Sequence, residues 1–200
     1  MDLFENLPSL TPAQFFGVMA SCYYTEKAVG RGKKWLLPSM ADLLDEDEFA
    51  NVYAGWNEEG VSFFIEVDVP FLDPEKDFVE LFIDTRDLKV KGVVSRFCHH
   101  FRFSPKEKRE VTRFRGEDIH PLADSKNLGC DAEIGKNCYF LAIAIPADSL
   151  HGYDPLTFSR LGFTYQINRS DGPPSHFSVS SSDFTIEQHP ATWGSLKLVR

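Results

Sequence analysis

Asn51–Val69, NVYAGWNEEGVSFFIEVDV, is the stretch that decides the fold. Val52, Ala54 and Trp56 alternate with Asn51, Tyr53 and Gly55, and after Asn57-Glu58-Glu59-Gly60 a second alternation begins. There Val61, Phe63, Ile65, Val67 and Val69 take one face, with Ser62, Glu66 and Asp68 on the other. A period of two belongs to strands that bury one face, so the stretch predicts a β-hairpin turning at Asn57–Gly60. Pro70 and Leu72-Asp73-Pro74 stop it.

The same period recurs on the C-terminal side. Phe78–Phe103, FVELFIDTRDLKVKGVVSRFCHHFRF, reads as two strands around a short basic segment. Val79, Leu81 and Ile83 oppose Glu80, Phe82 and Asp84, while Phe97, His99, Phe101 and Phe103 alternate with Cys98, His100 and Arg102. Further strands are expected at Tyr139–Ile145, Leu161–Ile167 and Trp193–Leu198. About seven or eight strands with little helix predict an all-β fold, an antiparallel β-sandwich of two packed sheets, jelly-roll or immunoglobulin-like. Thr11-Pro12-Ala13-Gln14 is a helix-start signal, and Phe15, Phe16 and Met19 would be the buried stripe of a short N-terminal helix. Residues 1–50 are thus expected to be a helix and extension packed on the body. Residues 51–200 are expected to be a single sandwich domain.

Two hundred residues suffice for one core, and 18 Phe suit packed sheet faces. A net charge of -9 excludes a general nucleic-acid binder, and the Lys106–Arg115 run is broken by Glu107 and Glu110 into a solvated face. No apolar run approaches the roughly 18 residues of a membrane span. Met-Asp-Leu-Phe-Glu lacks a basic n-region, which predicts a cytoplasmic protein. Cys22, Cys98, Cys130 and Cys138 are accordingly expected as free thiols, although Cys130 and Cys138 could bracket a hairpin and pair if oxidised. The sequence does not set an oligomeric state.

Four pieces in order carry a resemblance: Gly55–Gly60 running into a strand, Glu80–Arg86, Ile167-Asn168-Arg169 after a strand, and His189–Gly194 leading into the last strand. Over roughly residues 50–200 the chain resembles the family 9 carbohydrate-binding modules and their wider relatives. It also resembles bacterial proteins carrying an Arg-Phe-Cys-His-Xaa-Phe stretch, here Arg96–Phe101. The resemblance implies a β-sandwich that binds sugar chain ends between aromatic side chains and holds structural calcium. Neither an attached catalytic domain nor an export signal is expected from the sequence.

Three constellations follow. Trp56 and Trp193, at the family's motif positions, would stack on sugar faces while Arg86 and Asn168 bond hydroxyls; alternatively, Trp56 lies inward with Val52 and Ala54, and Trp193 packs a loop on a strand. Asp84-Thr85-Arg86-Asp87 ends a strand, either as a charge-paired turn with Asp capping amides or as part of a calcium site, which needs six to eight oxygens. Arg96-Phe97-Cys98-His99-His100 places Cys98 and His100 on one strand face and His99 on the other. A polar row of Arg96, Cys98, His100 and Arg102 lining a concave binding surface explains that pattern as well as a zinc site or a nucleophile–base pair does. Gly30–Lys34 lacks the spacing of a phosphate loop.

The reading is a non-catalytic module binding a saccharide or related polar small molecule, with Trp56, Arg86, Arg96, His100, Asn168, Arg169 and Trp193 as its ligand-binding residues. No cofactor is called for beyond the calcium that the resemblance implies. Two rivals stand beside it: a sandwich that has lost the sugar site and binds a protein partner, and an enzyme using Cys98 and His100.

Overall fold

The computed structural model describes residues 17–73, 75–89, 94–106, 109–114, 122–182 and 185–200. The helix expected from Thr11 lies outside them up to Phe16. Met19, its expected last buried residue, instead opens a strand, β1 (Met19–Tyr24), and is exposed.

The predicted hairpin is present as β2 (Ala50–Asn57) and β3 (Gly60–Asp68), with Asn57 opposite Gly60. Gly60 has φ +147°, and a Cβ there would come within 2.2 Å of the Ile145 carbonyl oxygen, so the turn requires glycine. Asn57 Oδ1 accepts the Glu59 amide hydrogen and closes the turn. Val61, Phe63, Ile65 and Val67 of β3, and Val69 just past it, are buried, as the alternation demands.

The remaining strands are β4 (Phe78–Asp84), β5 (Cys98–Phe103), β6 (Arg109–Thr112), β7 (Gly129–Ile134), β8 (Cys138–Pro146), β9 (Arg160–Asn168), β10 (Ser175–His176) and β11 (Gly194–Val199). They form one sheet in the order β6-β5-β4-β9-β11-β1-β2-β3-β8-β7, with β10 added on β9. A short helix, α1 (Ala41–Leu44), precedes β2.

The all-β expectation holds, but the arrangement differs from two separate antiparallel sheets. β1 pairs in parallel with β11, Cys22 opposite Leu198, and in parallel with β2, Tyr24 opposite Trp56. That strand joins the two halves into one curled, mixed sheet. Residues 1–50, expected to pack on the body, therefore also supply a strand within the sheet. The curl brings β3 over β9, where the rings of Phe63 and Phe163 stack. Alternation along every long strand feeds the enclosed core, which takes Val79, Leu81 and Ile83 from β4 and Leu141, Ile143 and Ile145 from β8.

The opposite face of β4 and β5 is only partly open. Phe82 and Cys98 point away from the main core into a second apolar cluster with Phe114, Val179, Ile186 and Trp193. Residues of the segment leading into β11 thus cover one end of that face.

Candidate functional site

The uncovered part of this outer face carries a polar row. Arg102 of β5 and Gln166 of β9 both stand directly opposite Glu80 of β4, one strand to each side. The Glu80 carboxylate is the hub: Oε1 lies 3.1 Å from His100 Nε2, and Oε2 accepts from Asn168 Nδ2 at 3.3 Å. Gln166 Nε2 donates to Asn168 Oδ1 at 2.8 Å. Arg102 lays its guanidinium 3.5 Å over the ring of Phe78.

His100 is held rather than loose. It is 5% exposed, its ring stacks on Phe82 at 4.3 Å, and Phe114 lies 6.0 Å away on a tilt. The apolar cluster therefore fixes the imidazole plane while Glu80 fixes one nitrogen. Among the expected site residues, His100 and Asn168 are brought together through Glu80.

The two tryptophans do not form an open platform. Trp56 is 3% exposed in the main core, and its Nε1 donates to the Val199 carbonyl. Trp193 is equally buried, donates from Nε1 to the Ile186 carbonyl, and packs 5.7 Å from Phe82 beneath His100. Each large apolar ring is sequestered, with its single donor satisfied inside.

Arg86 and Arg96 lie past the ends of β4 and β5, grouped around Phe97 rather than on the Glu80 row. Arg169 is elsewhere again: its guanidinium lies over Phe49 at 4.2 Å and pairs with Asp47 and Asp171.

The Asp84–Asp87 turn takes its structural form. Asp84, buried, accepts the amide hydrogens of Arg86 at 2.9 Å and Leu88 at 2.8 Å. Asp87 accepts from the Ser195 hydroxyl and pairs with Lys89 at 3.0 Å. Lys89 also reaches the carbonyls of Trp193 and Gly194, tying the turn to β11, and burial lowers its pKa. Both carboxylates face amides, a hydroxyl and an ammonium, so this turn does not fit calcium, which needs those oxygens itself. Among the described residues no group of three His, Cys, Asp or Glu side chains is placed to hold a metal ion. Cys98 is buried, with the Ser95 hydroxyl 3.7 Å from its sulfur, and no disulfide joins any of the four cysteines.

Two clefts lie away from the Glu80 row. One of about 470 Å³ runs along Ser62, Ala142, Ala144 and Gly129 under Lys27, and one of about 300 Å³ is lined by Asp124, Asp148 and His151. Among the described residues no helix is long and apolar enough to cross a membrane.

No family model and no curated protein matches the sequence. The architecture does match solved structures. A family 9 carbohydrate-binding module from Caldicellulosiruptor kristjanssonii, in complex with glucose, superposes with a TM-score of 0.68 over 91% of this chain and 96% of its own, at 17% identity. This is the fold of the family 9 carbohydrate-binding modules. A family 9 module from the same organism, in complex with cellotriose, gives 0.64 over 90% and 93% at 15% identity. A putative carbohydrate-binding protein from Bacteroides uniformis gives 0.57 over 91% and 99% at 12% identity. The family 9 likeness extends beyond residues 50–200, because it takes in nearly the whole chain.

Two participants in the row escaped the sequence reading, Glu80 and Gln166, whereas Arg102 was read on the polar face with His100. Glu80 lies within the motif Glu80–Arg86, and its position opposite the core face was legible. Its link to Gln166 and Asn168 was not, because it depends on β9 pairing with β4.

Proposed function

We propose that this chain is a non-catalytic carbohydrate-binding module whose ligand lies across β5, β4 and β9. The observation that carries the reading is the Glu80 carboxylate held between His100 and Asn168, with Arg102 and Gln166 one strand to either side. A saccharide offers many hydroxyls that both donate and accept, and a fixed row of carboxylate, imidazole, amides and guanidinium answers them in kind. The fold likeness to glucose- and cellotriose-bound modules supports the same class of ligand.

The row differs from an aromatic clamp. Hydrogen bonding, with Phe78 beneath Arg102 as its nearest ring, does the recognition here, so affinity is modest and hydroxyl stereochemistry decides selectivity.

Isothermal titration of the purified chain against glucose, cellotriose and a panel of epimers tests this. Glu80→Gln removes the charge while keeping the shape. Selective binding by the wild type that E80Q weakens about tenfold or more supports the reading. Binding unchanged in E80Q removes Glu80 from the site. No binding to any glycan favours the second reading, a protein-interaction domain, which the burial of both tryptophans supports.

A further inference from the structure

Past the ends of β4 and β5, two arginines share one ring. The guanidinium carbons of Arg86 and Arg96 each lie 5.1 Å from the centroid of Phe97. Arg86 also lies 3.6 Å over Phe158, a half-exposed ring. Phe97 is held by His151, stacked at 5.7 Å, and by Gly152, where a Cβ would sit 2.7 Å from the ring.

Among the described residues neither cation has a counter-ion. Arg31, Arg160, Arg169 and Arg200 pair with Glu66, Asp87, Asp47 and Glu58 respectively. Arg86 and Arg96 have no carboxylate within ion-pair distance among the described residues, although the chain has a net charge of -9. Arg86 Nη1 is moreover enclosed without any hydrogen-bond partner. Asp154 feels the charge of Arg86, but its carboxylate is engaged with Thr157 and the Leu156 amide, which lower its pKa more. An enclosed N–H left unpaired is costly, and an acidic protein has carboxylates to spare for an arginine.

We propose that Arg86 and Arg96 form a binding site for a small oxyanion, a carboxylate or phosphate group. A guanidinium stacked by its faces keeps every N–H in its plane, so the aromatic contacts orient Arg86 without using its donors. Arg96 is exposed and supplies a second, mobile cation that closes on the bound anion. The site is separate from the Glu80 row and stands whether or not that row binds saccharide.

The test is thermal denaturation of the full chain titrated with inorganic phosphate and, separately, with glucuronate, each against sodium chloride of equal ionic strength. A saturable rise in Tm beyond chloride is expected from at least one anion, its apparent affinity weakened about tenfold in Arg96→Gln. The two arms separate a free phosphate from a sugar carboxylate. Nε–Hε resonances in a 15N spectrum of the wild type report Arg86 directly, without a variant that removes its stacked cation from the fold. A response equal to that of chloride, a response unchanged in R96Q, or an Arg86 resonance that does not move would each overturn the proposal. E80Q is expected to keep the anion response.

Discussion

Phe63 and Phe163 lie face to face across the interior, with ring centroids 5.4 Å apart and planes 10° from parallel, although four steps of the strand order separate β3 from β9. That stack is where the curled sheet meets itself. Phe63→Ala and Phe163→Ala should each cost about 3–5 kcal/mol. A double-mutant cycle by urea denaturation should return a coupling of about 0.5–1.5 kcal/mol; simple additivity would mean that the rings do not touch in solution.

The buried tryptophans make a second prediction. Trp193→Ala should destabilise the chain by about 3–5 kcal/mol, since it empties the cluster under His100. Trp193→Phe should keep the fold but leave the Ile186 carbonyl without its donor, at about 1–3 kcal/mol. Acrylamide should quench the emission of Trp56 and Trp193 poorly, which single-tryptophan variants can read.

Asp84 makes the third. Its two oxygens cap two amides at the end of β4, and Asp84→Ala strips both bonds from a buried site. A loss of about 2–4 kcal/mol is expected from two charge-assisted bonds. Chemical denaturation of D84A checks it, and a loss below about 1 kcal/mol would mean that the turn holds itself.

Alkaline pH supplies the fourth. Burial pushes the Cys22 thiol from 9.0 to about 12, and it raises Tyr139, Tyr153 and Tyr165 as well. Above pH 9 the unfolded chain releases protons that the folded chain keeps, so stability falls as pH rises. At about 1.4 kcal/mol per pH unit, the thiol alone accounts for a loss of up to about 4 kcal/mol by pH 12. Lys89, lowered by burial, acts in the opposite sense below 10.5. Denaturation midpoints from pH 8 to 11 should fall, and less steeply in Cys22→Ala.

How far these features were legible depends on how local their causes are. The β2–β3 hairpin was readable to within a residue because alternation and turn chemistry lie in one stretch. For Trp56 the same alternation offered an inward place only as the alternative to the sugar-stacking role expected of it. The Asp84 turn was readable in kind, since an Asp caps amides two to four residues ahead of it. The parallel pairing of β1 was not legible: MASCYY has no long alternation, and its partners are set by residues at the far end of the chain. For the same reason the Glu80 row was seen in fragments, with His100 and Asn168 named separately. Trp193 stood between two readings because its burial depends on how the loop before β11 folds over the sheet.

The pairing of β1 with β11 also sets an order of folding. Leu198 lies against Cys22, so the contact that closes the sheet joins strands more than 170 residues apart. Local pairs such as β2–β3 cost little loop entropy and can form first, whereas this seam costs the most. Deleting only β11 should thus unlink β9 from β1 and open the sheet at its middle.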